Sequence, residues 1–398
     1  MAASLEGVAH RRPVLAALAL SLGAAISLGL ARFSYALLLP PMREDLDWSY
    51  LLAGAMNTGN ALGYLLGALA TPALMRRFGA HAALVGGSLL TAVFLLLAGF
   101  LTDAALLMAQ RVLAGVASAF IFISGGLLAA RLGAMHGQRA GFLIGLYYGG
   151  TGLGITLSAL LVPAALEAAL AAGAPHAWQW AWLALGVACL AATAAMAPPA
   201  RGIDGAPAPA NDSGRLRLSP FAFGMTGYFM FGVGYIGYMT FVVALLKEQG
   251  MRADAIIAFY AALGLAVVAS SRIWAGLLDR YKGGQAMAIL NALLGVATLL
   301  PAITAAPAAV FLSGLLFGAV FLSVVASTTA LVRHNLPPAA WSGGISAFTI
   351  VFASGQIVGP TIVGWISDGT GGLQRGLVFS ACALFAGALL ATRQRALG

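Results

Sequence analysis

The sequence predicts an all-α membrane protein with twelve transmembrane helices, arranged as two pseudo-symmetric bundles of six. Of the 398 residues, 61% are apolar and 8% are charged, whereas about 25% are charged in an average soluble domain. Apolar runs follow one another along the chain, each near the roughly 20 residues that a helix needs to cross a bilayer. A polar segment in the middle separates six runs from six.

A transmembrane β-barrel is the competing membrane fold. Its strands would appear as segments of about ten residues with alternating polarity. The run over residues 14–39 is instead continuous. Because a helix satisfies its own backbone hydrogen bonds within the bilayer, such runs favour helices.

The first half contains six predicted helices, separated by short polar turns or by turns rich in glycine and proline. The first apolar run follows Arg11 and Arg12, and a signal peptide also begins with basic residues before an apolar run. The apolar core of a cleavable signal has roughly 7 to 15 residues, however, and this run is longer. We interpret it as a spanning helix. The six lie near residues 14–41, 49–75, 81–101, 105–131, 139–166 and 177–197.

The second half repeats this organisation near residues 220–246, 254–279, 284–302, 307–331, 341–366 and 372–392. Between the halves, charged residues are mixed with proline, glycine and serine, and no apolar period is present, which is typical of a linker. The predicted domains are an N-terminal bundle over 1–197, a cytoplasmic linker over 198–219 and a C-terminal bundle over 220–398.

The distribution of Lys and Arg predicts the orientation. With a cytoplasmic N-terminus, 14 of the 21 lie in loops on the cytoplasmic side, 4 lie opposite and 3 lie inside helices. The positive-inside rule therefore places both termini in the cytoplasm, and we expect a bacterial inner-membrane protein. The net charge of +9 is explained without a nucleic-acid partner.

Residue types that support catalysis or metal binding are sparse. Cys189 and Cys382 lie inside apolar segments, and the five histidines do not cluster. No spacing matches a zinc site or a disulfide framework. We predict no enzyme activity, no metal and no cofactor.

Internal repetition supports two related halves, as in many transporters. A shift of 203 residues aligns glycines and tyrosines of the first and seventh helices and glycines of the fourth and tenth, and a shift of 205 aligns glycines of the fifth and eleventh. The aligned pairs include Gly29 with Gly232, Tyr35 with Tyr238, Gly115 with Gly318, and Gly150 with Gly355.

The fourth helix carries Arg111 followed by Gly115 and small residues. A basic turn, Arg76-Arg77-Phe78-Gly79, follows the second helix, and Gly276-Leu-Leu-Asp279-Arg280 ends the eighth. These motifs resemble those of the major facilitator superfamily, and the resemblance covers essentially the whole chain. It implies alternating access between two six-helix bundles, with gating by Arg77, Gly79, Asp279 and Arg280. Arg76 replaces the usual acidic residue, so the resemblance assigns the acidic contact to Asp279.

Further segments resemble the YbfB/YjiJ-type bacterial members of that superfamily. These are Ala31-Arg32-Phe33-Ser34-Tyr35, Gly232-Val-Gly-Tyr235-Ile-Gly-Tyr238 and Gly355-Gln356-Ile-Val-Gly359-Pro360. The fifth helix, Gly145 to Gly154, is similar to an exporter signature without its proline, which disfavours an antiporter. The glycines Gly149, Gly150, Gly154, Gly355 and Gly359 are expected to pack helices closely.

Three arginines fall at membrane depth, where ionisable residues are costly and usually functional. Arg272 is near enough to a helix end to reach the interface. Arg32 lies eight residues before Pro40, roughly 12 Å along a helix, and Arg111 lies at a similar depth. Because every acidic residue falls at a helix end or in a loop, the two arginines predict a site for an anion held by bidentate contacts.

A structural alternative exists for each arginine. Arg111 could tie helices together through backbone carbonyls, and Arg32 could pair with tyrosine hydroxyls. The resemblance places both on cavity-lining helices. The full set of predicted substrate-binding residues is Arg32, Arg111, Tyr35, Tyr235, Tyr238, Tyr148, Gln356 and Asn57.

The sequence therefore predicts a secondary transporter that moves a small organic anion, such as a carboxylate, by alternating access. We expect its partners to be the solute and the bilayer, and we expect a monomer. A drug or metabolite efflux pump is the first alternative. A membrane sensor without transport is the second.

Overall fold

The computed structural model describes residues 12–136, 139–203, 218–337 and 340–397. Arg11 and residues 204–217 of the predicted linker lie outside the described residues. Within the described part, the chain forms twelve long helices and no strands. All twelve helices predicted from the sequence are present.

The helices are numbered here in chain order. The first six are α1 (Pro13–Asp45), α2 (Tyr50–Phe78), α3 (Ala80–Ala98), α4 (Ala104–Met135), α5 (Ala140–Ala171) and α6 (Ala177–Arg201). The next are α7 (Ser219–Glu248), α8 (Ala253–Ile273 and Ala275–Arg280), α9 (Gln285–Ile303), α10 (Pro307–Asn335), α11 (Trp341–Ser367) and α12 (Gly372–Thr392).

Eleven of the described helices are long and apolar enough to cross a bilayer. The remaining helix, α2, has 29 residues, which corresponds to about 43 Å of helix. Its mean hydropathy is lowered by Asn57, Thr58 and Asn60, and by Arg76 and Arg77 in its last turn. Length predicts this helix correctly, although its composition is the most polar of the set.

Two helices depart from the regular α-helices that the sequence predicts. Residues Ala25–Phe33 of α1 form a π-helix, which ends where the Ser34 amide donates to the Gly29 carbonyl at 3.0 Å. The α8 helix is interrupted at Trp274. The helix ends also shift by several residues, and α1 continues through Pro40 and Pro41 to Asp45.

The described chain forms two compact units. The first unit consists of residues 12–47 and 59–203. In it α1 packs along α5, and α3 packs against α4 and α6. The α1–α5 contact is close because Gly29 faces Gly154, and a Cβ atom added at Gly29 would lie 2.4 Å from the Gly154 Cα. Small residues allow such backbone contact between membrane helices.

The second unit consists of residues 48–58, 218–337 and 340–397. In it α7 packs against α11 and α12, and α9 packs against α10 and α12. The first turns of α2 belong to this unit. The Asp368 carboxylate accepts hydrogen bonds from the backbone N–H groups of Tyr50 at 2.7 Å and Leu51 at 2.8 Å. It thereby pairs donors that the N-terminus of α2 would otherwise leave without a partner.

Candidate functional site

Buried charge marks the core of the first unit. Arg32 and Arg111 are each 2% exposed, and they are the only charged side chains buried among the described residues. None of the nine described acidic residues is buried; they are Glu44, Asp45, Asp47, Asp103, Glu167, Glu248, Asp254, Asp279 and Asp368. The unit therefore holds two buried cations without a buried carboxylate.

The π-helical segment of α1 carries Arg32, and all of its residues are buried. A π-helix places its hydrogen bonds five residues apart, and such segments occur frequently at functional sites. Where the segment returns to α-helix, its last carbonyls need other donors. The Ser34 hydroxyl donates to the Leu30 carbonyl at 2.6 Å.

Arg111 supplies the next donor. Its Nη1 donates to the Ala31 carbonyl at 3.0 Å, so a guanidinium on α4 holds the backbone immediately before Arg32. Its Cζ lies 4.8 Å from the Tyr35 ring centre and 5.7 Å from that of Trp182. Two aromatic faces and one carbonyl thus compensate for part of the cost of burying this cation.

A second pair of contacts fixes α1 against α4. The Ser27 hydroxyl donates to the Ser118 carbonyl, and the Ser118 hydroxyl donates to the Ser27 carbonyl, both at 2.8 Å. Ser118 lies two turns beyond Arg111 on the same helix. On the other side of α4, the Asn60 amide donates to the Arg111 carbonyl at 3.0 Å. The backbone around both arginines is therefore held by side chains from neighbouring helices.

Arg32 has a different environment. Its Cζ lies 5.8 Å from the Tyr64 ring centre, beyond the distance to either ring around Arg111. Its Nε and Nη2 atoms are buried and have no hydrogen-bond partner among the described residues. A buried N–H group without an acceptor is costly, so this guanidinium has donors available for a ligand.

The structure brings three predicted residues of the first unit together, namely Arg32, Arg111 and Tyr35. Tyr148 on α5 lies in a separate group of rings. It is 37% exposed, and its ring centre lies 5.0 Å from that of Tyr147 and 5.4 Å from that of Phe122. The Tyr147 hydroxyl donates to the Phe122 carbonyl at 2.8 Å.

Sequence reasoning missed the roles of Ala31, Tyr64 and Trp182. The Ala31 contact is made by a backbone carbonyl, which no residue pattern marks. Tyr64 and Trp182 contact the arginines from helices α2 and α6. Their only sequence signal is an aromatic residue in an apolar run, which usually indicates packing.

In the second unit, Tyr235 belongs to a stack of nearly parallel rings from α7, α10 and α11. Its ring centre lies 4.8 Å from that of Phe231, 5.5 Å from that of Phe352 and 6.0 Å from that of Phe321. Tyr228 extends the stack, 4.9 Å from Phe352. The sequence predicted Tyr235 as a substrate contact but did not predict the stack.

Tyr238 makes a structural hydrogen bond. Its hydroxyl lies 2.7 Å from the Ser313 Oγ, and that serine donates to the Ala297 carbonyl at 2.6 Å. The bonds join α7 to α10 and α9. The ring of Tyr238 stacks on Phe317, with the centres 4.1 Å apart.

Asn57 and Gln356 are also buried in the second unit, at 2% and 1% exposure. The Asn57 amide donates to the Thr240 Oγ1 at 2.6 Å, and that hydroxyl donates to the Ile236 carbonyl at 2.6 Å. Asn57 therefore contacts α7 at Thr240. Their predicted roles as substrate contacts remain predictions.

The predicted gating residues lie at exposed helix ends. Gly79, with φ 85°, joins α2 to α3. Arg77, Asp279 and Arg280 are exposed. The guanidinium of Arg77 lies over the Phe78 ring and that of Arg280 over the Tyr281 ring. Asp279 forms no ion pair with another described residue.

The predicted packing glycines lie at close helix contacts. A Cβ atom at Gly150 would lie 1.9 Å from the Ser21 carbonyl oxygen, and one at Gly355 would lie 2.4 Å from that of Phe229. The corresponding distance to a carbonyl oxygen is 2.4 Å for Gly154 and 2.5 Å for Gly359. Gly149 is buried.

Comparison with known families identifies the chain. Residues 24–392 match the sequence model of a protein family that is described as "uncharacterised MFS-type transporter YbfB". The chain belongs to this family. The predicted membership of the major facilitator superfamily is confirmed, and so is the predicted twelve-helix fold. The protein is a multi-pass membrane transporter of a small molecule.

Solved structures share the fold of this YbfB-type transporter. A mutant of the nucleoside transporter NupG is 13% identical, with a TM-score of 0.71 over 95% of this chain and 99% of that chain. A bacterial homologue of the human lysosomal transporter Spinster is 14% identical, with a TM-score of 0.72 over 96% of each. For FucP, a major facilitator transporter, the values are 14% and 0.63 over 96% and 99%. No curated protein matches the sequence.

Proposed function

We propose that this YbfB-type transporter carries a small organic anion, such as a carboxylate, and that Arg32 binds the anionic group. The main support for this proposal is the environment of Arg32. Its side chain is 2% exposed, and its Nε and Nη2 have no hydrogen-bond acceptor among the described residues. A carboxylate matches this need, because two parallel N–H donors of a guanidinium bind its two oxygens.

The electrostatics of the first unit support an anion over a cation. Both buried charges are positive, and a buried charge is stable only when it is paired or hydrogen-bonded. A cationic solute would add a third positive charge. An anion would neutralise one of the two and so reduce the cost of burying them.

The different environments of the two arginines suggest a division of roles. Arg111 has the Ala31 carbonyl and two ring faces as partners, and it holds the backbone that carries Arg32. In the proposal, Arg111 therefore acts mainly as a positioning residue. Tyr35 supports it from the same helix as Arg32.

The transport mechanism, the orientation and the oligomeric state are proposed from the sequence. Transport proceeds by alternating access across the bacterial inner membrane, with both termini in the cytoplasm and with a monomer as the working unit. The bundles correspond to residues 1–197 and 220–398. Residues proposed to gate are Arg77, Gly79, Asp279 and Arg280, and the other proposed substrate contacts are Tyr148, Tyr235, Tyr238, Asn57 and Gln356.

Binding and counterflow in proteoliposomes test the proposal. Mono- and dicarboxylates are compared with their uncharged amides and with organic cations. We expect carboxylates to bind and exchange, and Arg32→Gln to weaken binding by roughly 10- to 100-fold, as expected for a lost charge-assisted hydrogen bond. Arg272→Gln is the matched control, because it removes an exposed arginine. Equal carboxylate affinity in wild type and Arg32→Gln would disprove the role of Arg32.

A second candidate is efflux of an apolar aromatic compound. The stack of Tyr228, Phe231, Tyr235 and Phe352 in the second unit favours it, because parallel rings bind flat apolar molecules well. The same liposomes discriminate: export of neutral aromatic compounds without carboxylate exchange would favour efflux. Binding without flux for every ligand would favour a sensor.

A further inference from the structure

A cavity of about 500 Å³ lies where α1 and α5 begin. Arg12 directly precedes α1, and Arg139 directly precedes α5. Because α1 packs along α5, the two arginines come to the same cavity although they are far apart in sequence. The remaining lining residues are apolar and come from the first turns of α1: Pro13, Val14, Leu15 and Leu18.

Among the described residues, the polar side chains that line this cavity are both cationic. Arg12 and Arg139 are exposed, and neither guanidinium forms a hydrogen bond or an ion pair with a described residue. No acidic residue that the structure describes lines the cavity, and neither helix has one in its first turn. The charges of the two arginines are thus available to an anionic ligand.

The apolar part extends away from the arginines along α1. Val14, Leu15 and Leu18 are 37%, 50% and 43% exposed. The span Pro13–Asp45 has 33 residues, which at about 1.5 Å per residue exceeds the roughly 30 Å of the hydrocarbon core. Because Arg12 directly precedes this long helix and arginines favour the interface, we expect the beginning of α1 to lie at headgroup level and Leu18 to lie nearer to the acyl chains.

The geometry points to a binding site for one anionic phospholipid. Its phosphate lies between Arg12 and Arg139, and an acyl chain covers Val14, Leu15 and Leu18. Basic pockets between membrane helices bind anionic headgroups in this way. A zwitterionic lipid fits less well, because its ammonium group would lie beside two guanidiniums, and the described lining offers it no carboxylate. Free phosphate would leave the leucines uncovered.

This inference does not depend on the solute that the protein transports. The test uses the purified, delipidated full-length protein and measures lipid affinity and the midpoint of thermal unfolding. Phosphatidylglycerol is compared with phosphatidylcholine of the same chains and with inorganic phosphate. We expect phosphatidylglycerol to bind tightest and to raise the midpoint, and inorganic phosphate to have little effect.

Matched variants locate the site. Arg12→Gln with Arg139→Gln should weaken phosphatidylglycerol binding about 10- to 30-fold, as expected for two basic residues at a membrane surface. Arg393→Gln with Arg395→Gln removes two exposed charges elsewhere and should leave the affinity unchanged. If the first double variant does not purify, Arg139→Gln alone should show a several-fold loss.

Three results would overturn the inference. The first is an unchanged phosphatidylglycerol affinity after both cavity arginines, or Arg139 alone, are replaced. The second is equal affinity for phosphatidylcholine, which would indicate unselective annular lipid. The third is full stabilisation by inorganic phosphate, which would indicate a site for a soluble anion.

Discussion

The guanidinium of Arg111 donates a hydrogen bond to the backbone carbonyl of Ala31, the residue immediately before Arg32. The bond joins α4 to the π-helical part of α1 and is supported by the rings of Tyr35 and Trp182. One buried arginine thus holds the backbone that presents the other. This relationship predicts that the two arginines respond differently to substitution.

Arg111→Leu should destabilise the protein, because it leaves the Ala31 carbonyl without this donor at a cost of about 1 to 3 kcal/mol. Anion affinity should fall as well, since Arg32 loses its support. Arg111→Lys keeps one donor but loses the planar contacts with the rings, so we expect an intermediate effect. Thermal unfolding and ligand binding measure the two effects. Lost affinity with unchanged stability in Arg111→Leu would instead assign Arg111 to direct substrate binding.

The reciprocal bonds between Ser27 and Ser118 predict a measurable contribution to the α1–α4 contact. Ser27→Ala and Ser118→Ala should each cost about 0.6 kcal/mol, the average for such bonds between membrane helices, and the double variant about twice as much. Ser88→Ala is the control, because its buried hydroxyl donates to Leu84 in its own helix. The free energy of unfolding in mixed micelles is the measurement. A control that loses as much stability as the double variant would contradict the assignment.

Two glycines of α5 predict opposite outcomes for the same substitution. A Cβ atom at Gly150 would lie 1.9 Å from the Ser21 carbonyl oxygen, whereas one at Gly141 meets nothing within 4 Å. Gly150→Ala should therefore separate α1 from α5 and sharply reduce the yield of folded protein. Gly141→Ala should be neutral or stabilise the helix by up to about 1 kcal/mol. Size-exclusion profiles and unfolding midpoints compare the two, and similar behaviour would show that the close contact is not required.

The hydrogen bond between Tyr238 and Ser313 predicts a structural role for this tyrosine. Tyr238→Phe keeps the ring on Phe317 and removes the hydroxyl, so we expect a loss of about 1 kcal/mol in stability. Ser313→Ala should give a similar or larger loss, because it also removes the bond to the Ala297 carbonyl. Stability and affinity are measured on the same samples. A selective loss of affinity in Tyr238→Phe would support its predicted contact with the substrate.

The helices could be predicted because each one satisfies its backbone hydrogen bonds locally, and its apolar length is visible in the chain. Even α2, with Asn57 and Asn60 in its first half, can be predicted from its length and flanking turns. Helix ends were harder to predict. Pro40 and Pro41 suggested an end, but the helix continues to Asp45, where its turn is fixed by contacts of Asp45 with His176 and Trp178.

The π-helix could not be predicted. Its sequence, from Ala25 to Phe33, contains no residue pattern that indicates hydrogen bonds between residues five positions apart. The segment is stabilised by contacts from distant parts of the chain, including Arg111, which is 80 residues from Ala31. Local propensity contains no information about such a donor.

The sequence by itself determined that three arginines, Arg32, Arg111 and Arg272, lie at membrane depth and that its acidic residues lie at helix ends or in loops. Charge and apolar length are properties of the chain, and a bilayer imposes their consequences on every helix. Only the tertiary structure decided which acceptors each guanidinium reaches. Arg111 contacts a carbonyl and two rings, while Nε and Nη2 of Arg32 reach no acceptor among the described residues, because hydrogen bonding depends on the distances that helix packing sets.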